Sequence, residues 1–423
     1  MAAPLKSCAD GGGAGRDTAG TAALRTWSPR LSPRFLTRRG FLQGASALTA
    51  AAALGACRGP GDDATPAPST TTEGPPRADG TLVLVTLYGG NDALNTVAPV
   101  LDDAYRAARG TLALDPATTH DIGEGFALHP ALVRTKALWD EGRLAVVHGV
   151  GFDGLDRSHF HCMDVWQAGG EGDLATGWLG RWLDATGTDP LDAVVVGRRV
   201  PLLGRGEQRA AAVVPTGPFA LPGGPDLRSL LGTMSGADDR PPLGDLVAAS
   251  TEDLLAVIDT VGPVVADTRA EETLRARLDT VARLVGAGLP TRVYAVDLDG
   301  FDTHAGQAAT HQSLLAQLDE ALGAFLDDMA DREVTVLIYS EFGRRVTPNA
   351  SAGTDHGSAG TVLVAGSVRG GHHGEPPPLD RLVDGDLATT TDFRSVYGAV
   401  LEGVLGIDAS DVLGAGPAPL TFV

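Results

Sequence analysis

The chain has 423 residues, 43% of them hydrophobic and only 5% aromatic, with 56 glycines and 27 prolines. That is enough apolar sequence for a large core crossed by many turns, and it excludes a chain that is disordered throughout. The formal charge is -20, and because residues 1–57 hold seven basic residues against two acidic ones, the remainder carries -25; nucleic acid and anionic membrane surfaces repel such a body, so no nucleic-acid partner is expected.

In chain order, the first informative stretch is Thr37-Arg38-Arg39-Gly40-Phe41-Leu42-Gln43, which resembles the twin-arginine export motif and precedes an Ala/Leu stretch, Ala45 to Ala56. That stretch is too short for a comfortable membrane span. The resemblance implies passage through the twin-arginine translocase in the folded state, to the periplasm or the cell exterior, with any metal loaded beforehand. Leu54-Gly55-Ala56-Cys57 resembles a lipobox, in which the cysteine is acylated; a plain small-residue cleavage site is the other reading. The only membrane association expected is through such a lipid anchor. Residues 58–79, rich in Pro, Thr, Gly and Asp, read as a solvated tether. With Cys8 and Cys57 in the leader region, Cys162 alone remains for the body, which excludes an internal disulfide framework.

Residues 80–423 read as one α/β domain with a predominantly parallel central sheet covered by helices on both faces. Thr81 to Tyr88 is a buried-strand pattern ended by Gly89-Gly90-Asn91-Asp92. A helix from His129-Pro130 through Trp139 leads to a strand from Leu144 to Val150. A short loop then reaches Ser158, read as the start of a helix. An amphipathic helix from Trp178 to Ala185 precedes a strand from Ala193 to Val196, and residues 201–243 read as an irregular insertion over the sheet edge. Helices near Asp245 to Val261 and Ala270 to Val285 lead to a strand from Thr291 to Asp299. Leu314, Leu315, Leu318, Leu322, Phe325, Leu326 and Met329 then recur at helical spacing. The strand Val334 to Ser340 delivers Glu341 and Arg344; a strand from Thr361 to Ala365 and a helix from Asp392 to Leu405 close the chain.

Three strand ends carry acidic or imidazole groups: Asp92, then Asp302 with His304, then Glu341 followed by Asp355 and His356. Open α/β sheets place their chemistry at this edge, and such a set is what one divalent ion, or a pair about 4 Å apart, requires. Carboxylate plus imidazole suits zinc or manganese, whereas an oxygen-dominated site suits magnesium or calcium. The competing reading is turn and cap chemistry around glycines. Ser158 has the same two meanings, helix cap or nucleophile, and His159 reads as a base or a ligand although it does not face its neighbour on a helix. His129, His148 and His311 read as structural, and His372-His373 as a loop.

Tyr88 to Asn95, Leu128-His129-Pro130, Arg157-Ser158-His159-Phe160, Phe301-Asp302-Thr303-His304, Ser340 to Arg344, Thr354 to Gly357 and Asp392-Phe393-Arg394 together resemble the domain of unknown function 1501 family, across nearly all of residues 80 to 410. Its members are regarded as relatives of the alkaline phosphatase and sulfatase superfamily. The resemblance implies an alkaline-phosphatase-like fold with Asp92, Asp302, His304, Glu341, Asp355 and His356 as metal ligands, Ser158 as nucleophile and Arg344 binding the anionic group. It implies hydrolysis of a phosphate or sulfate ester of a small molecule or glycan. Two departures stand against that pattern: Phe342 rather than His follows Glu341, and the Asp302 to His304 spacing is short. The first of them motivates the alternative of a noncatalytic envelope protein with a structural or vestigial metal site that binds a partner or glycan.

Overall fold

The computed structural model describes residues 80–423 except 173, 222 and 236–241. The leader, the lipobox and the tether assigned to residues 1–79 lie outside the described residues. The main sheet is built from β1 (Thr81–Tyr88), β2 (Leu144–Gly151), β3 (Ala193–Val196), β4 (Ala212–Val214), β5 (Val293–Asp299), β6 (Val334–Tyr339), β7 (Gly360–Gly366), β8 (Gly371–His373) and β9 (Thr391–Asp392). Its order is β8-β2-β7-β6-β1-β5-β3-β4, with β9 also pairing with β2. The main helices are α1 (Val133–Asp140), α2 (His159–Ala168), α3 (Trp178–Thr186), α4 (Leu274–Gly286), α5 (Gln307–Asp328) and α6 (Phe393–Gly403).

Alternation along β1 explains the layers. Val83, Val85 and Leu87 join one apolar cluster with α4 and α5, while Leu82 and Leu84 join another with α2, α3 and α6. A strand buried on both faces needs apolar residues at every position, which is why the unbroken apolar run of β1 marks the centre of a parallel sheet. β1 runs parallel to both β5 and β6, with Tyr88 beside Asp299 and Thr86 beside Tyr339. The carboxyl ends of all three strands therefore share one edge.

The sheet is predominantly parallel, as expected, with β7 running against it, antiparallel to both β6 and β2. The chain leaves β6 at the site edge, loops over it through residues 340–359 and re-enters the sheet from the same edge. Without a crossover helix the returning strand must run the opposite way. Two expectations are corrected. α1 begins at Val133 rather than His129, because a residue before proline is disfavoured in the helical region; Leu132 N instead donates to His129 O at 2.9 Å. After Asp92 the chain forms a one-turn helix (Ala93–Thr96) and a strand, Val97–Ala98, of a separate small antiparallel sheet. The described residues within 201–243 are more regular than expected: β4 extends the main sheet parallel to β3, and Gly224–Ser235 is helical. No helix among the described residues is long and apolar enough to cross a membrane.

Burial, the dominant cause, lowers the pKa of His129 to about 4, of His148 to about 3 and of His311 to about 4, from 6.5. With folded values below the unfolded one, all three are neutral in both states above pH 7. As pH falls through 6.5 the unfolded chain takes up protons that the folded chain refuses, and stability is lost, on the order of 2 kcal/mol per histidine at pH 5. His148 packs on the rings of Phe126 and His372 and its Nε2 lies 2.9 Å from His372 Nδ1, so His148→Phe keeps the ring contacts and gives up that one bond at every pH. Urea unfolding at pH 7.5 and 5.0 should show the variant's acid sensitivity reduced by about that amount; an unchanged pH difference would refute the assignment.

Candidate metal centre

Glycine opens the edge on which the site is built. Gly89 has φ +114°, and a Cβ there would lie 2.4 Å from the amide nitrogen of Asp302. Only glycine allows the turn after β1 to lie against the turn after β5. Arg344 ties these turns together. Its Nε donates to Gly90 O at 2.8 Å, Nη1 to Thr354 O at 2.9 Å and Nη2 to Phe301 O at 2.9 Å, to Gly89 O and to Asp302 Oδ1 at 2.6 Å. Arg344 is only 2% exposed. The expected anion-binding role is therefore corrected: the guanidinium is spent on carbonyls and on Asp302, the multi-acceptor geometry that an arginine fork satisfies and a lysine does not.

Asp302 Oδ1 is the focus of three imidazoles. His304 Nε2 lies 3.0 Å from it, His356 Nε2 3.1 Å and His159 Nε2 3.3 Å. Each ring is held by its other nitrogen. His159 Nδ1 donates to Glu341 Oε1 at 2.6 Å, His304 Nδ1 to Asp355 Oδ1 at 3.0 Å and His356 Nδ1 to the carbonyl of Arg157 at 2.8 Å. A carbonyl or carboxylate oxygen only accepts, so in the neutral rings the Nδ1 atoms carry the protons and the Nε2 atoms present lone pairs. Yet His304 Nε2 and His356 Nε2 are 2.9 Å apart, and buried His159 Nε2 has no hydrogen-bond partner. Lone pairs that converge this closely on a carboxylate oxygen call for a cation.

The donor set fits one. His159, Asp302 and His356 form a group whose ligand atoms all lie within 4.8 Å of one another, and His304 points its Nε2 at the same oxygen. A tetrahedral zinc with bonds of about 2.0–2.1 Å spaces its donors about 3.3 Å apart; the separations of 2.9–3.3 Å approach that. Ligating imidazoles anchored by carboxylate or carbonyl through the distal nitrogen are the usual outer shell of a metal centre. Electrostatics agree. Burial alone would raise the Asp302 pKa, but the hydrogen bond and positive charge of Arg344, together with the nearby His356 and His159 rings, outweigh it and bring the group to about 2, keeping the carboxylate ionised. The hydrogen bond from Nδ1 to Glu341 raises the His159 pKa against the effect of burial, which makes the opposite nitrogen, Nε2, a more basic donor toward an ion.

Of the candidates from sequence, Asp302, His304 and His356 come together. Glu341 is 1% exposed and accepts from Gly89 N, Ser340 Oγ and His159 Nδ1; it stands behind the His159 ring and outside the group around Asp302 Oδ1. Asp355 stands likewise behind His304, its pKa lowered by hydrogen bonds from Asn349 and then His304. Asp92 is outside the group: its carboxylate, 1% exposed, pairs with buried Arg109 and accepts from Gln307. Ser158 caps α2, its hydroxyl accepting from His161 N at 3.4 Å. It lies half-buried between Arg157, whose carbonyl holds His356, and His159. His159 is the residue whose part sequence reasoning left open. What matters is not whether it faces Ser158 but that the first residue of α2 projects off the helix start toward the strand ends.

Residues 259–401 match the family described as protein of unknown function (DUF1501). The match takes in Asp302, His304, Glu341, Arg344, Asp355 and His356 and leaves out Asp92, Ser158 and His159, so it is shorter than the resemblance across residues 80 to 410. Among curated proteins nothing matches. Solved structures to which the chain is similar include a protein in the alkaline phosphatase superfamily from Vibrio parahaemolyticus, at 8% identity and TM-score 0.39, covering 79% of this chain and 69% of that one. Phosphonoacetate hydrolase from Sinorhizobium meliloti is 11% identical, with TM-score 0.29 and coverage of 63% and 57%. The C-terminal periplasmic domain of EcEptC from Escherichia coli, in complex with Zn, is 10% identical, with TM-score 0.34 and coverage of 69% and 76%.

Proposed function

We propose that this protein is an exported, metal-dependent hydrolase of phosphate or sulfate esters, its ion held by His159, Asp302, His304 and His356. The observation that carries the reading is the convergence of three Nδ1-anchored imidazoles on Asp302 Oδ1. Three nitrogens and one oxygen favour zinc, with manganese second, over magnesium or calcium. When bound, the ion supplies Lewis-acid polarisation of an ester oxygen. Asp302 and Arg344 fix the charge balance of the pocket, and Glu341, Asp355 and the Arg157 carbonyl hold the rings in register. Ser158, at the start of α2 where free backbone N–H groups favour an anion, is the nucleophile of this reading. Export rests on the twin-arginine motif at Thr37 to Gln43, and a lipid anchor on Cys57.

One observation favours the noncatalytic alternative: Ser158 Oγ is engaged as a cap and Arg344 is fully committed, so neither stands free for an ester. Elemental analysis of the purified protein and a screen of aryl phosphate and sulfate esters decide between them. Stoichiometric zinc with turnover that falls at least 100-fold in Ser158→Ala is the expected result, the order of loss when a group acting only in the transition state is removed. Bound metal without turnover of any ester moves the assignment to the structural reading.

A further inference from the structure

Asp386 is 0% exposed, and a tight turn brings it in. Val383 and Asp386 exchange two backbone hydrogen bonds of 2.9 Å around Asp384 (φ 52°) and Gly385 (φ 84°), the left-handed pair that an Asp-Gly hairpin turn requires. Its Oδ2 accepts Arg157 Nε at 3.0 Å and Arg157 Nη2 as well, while Arg345 Nε lies 3.7 Å from Oδ1. Arg157 itself has φ 60°, a conformation that a non-glycine residue does not adopt without some steric cost. The consequence of that conformation is visible at one atom: the Arg157 carbonyl accepts from His356 Nδ1 at 2.8 Å.

We infer that Asp386 is a positioning residue for the metal centre: by clamping Arg157 it holds the 157 carbonyl on His356 Nδ1, and so keeps His356 in the tautomer whose Nε2 lone pair faces Asp302. His159 and His304 have carboxylates for the same purpose, Glu341 and Asp355. His356 has only a loop carbonyl, which a left-handed residue presents and which needs an anchor. The anchor is an ion pair to buried Asp386, contributed from a segment nearly 230 positions further along the chain. The inference rests on the metal reading for its purpose but not for its test.

In full-length, metal-free protein, two-bond proton–nitrogen spectra of the imidazoles report each tautomer directly. Wild type should show His356 as the Nδ1–H form. Asp386→Asn should convert it to a mixture with the Nε2–H form while His304 and His159 stay as they are, and zinc competition should show affinity about 10- to 100-fold weaker. Arg157→Gly is the second variant in case Asp386→Asn does not fold, since glycine reaches φ 60° freely and only the clamp is lost. An unchanged His356 tautomer in the folded variants overturns the inference whatever the zinc affinity. If wild type binds no zinc but the tautomer still shifts, the positioning role stands and the metal reading falls.

Discussion

Replacing His356 by alanine is expected to remove stoichiometric zinc from the protein, whereas Asp355→Ala is expected to leave zinc bound about 10- to 100-fold more weakly. In the sequence the two residues are adjacent and look equivalent as ligands. In the structure they part: His356 Nε2 is 3.1 Å from Asp302 Oδ1, while Asp355 Oδ1 meets His304 Nδ1 on the far side of that ring at 3.0 Å. One turns a ring nitrogen toward Asp302 and the other stands as a hydrogen-bond acceptor behind His304. Elemental analysis together with competition against a chromogenic chelator separates the two effects. Equal losses in the two variants would mean that Asp355 ligates directly, and undiminished zinc in His356→Ala would remove the proposed centre altogether.

The largest expected effect on stability lies beneath the site. Arg109→Met should cost about 3–5 kcal/mol, the penalty for stranding one partner of a buried ion pair. Arg109 is 0% exposed; its Nη2 pairs with Asp92, and its Nη1 donates to Arg345 O at 2.9 Å and Val346 O at 3.3 Å. Loss of the guanidinium leaves the Asp92 carboxylate in the core with only Gln307 donating to it, and leaves two loop carbonyls short of a donor. Asp92→Asn in the same chain should recover part of the loss by removing the stranded charge. Urea denaturation of the single and double variants measures both steps. A single-variant cost below about 1 kcal/mol would show that water or rearrangement compensates the charge, contrary to its burial.

Much of the architecture was legible because burial on both faces writes near-continuous apolar runs into β1, β2 and β6 and into the first four residues of β5, and one-sided burial writes helical spacing into α5. The reversal of β7 was not legible: an apolar run has the same composition in either direction, and only the path of the preceding loop decides it. β4 escaped for a different reason, since three residues among glycines and prolines are too few to show a period.

The site divides in the same way. By itself the sequence determined that acid and imidazole groups gather at three strand ends, because the strand pattern and the glycines that end each strand are local properties. Only the tertiary structure decided which of those groups point inward and which stand behind. Asp92 and Glu341 look like ligands until Arg109 and His159, distant in the chain, are found to occupy them. Arg344 looks free until four carbonyls and a carboxylate are found around it. A side chain's chemistry is written at its own position, but its partner, and therefore its role, is set by what the fold brings within about 3 Å of it.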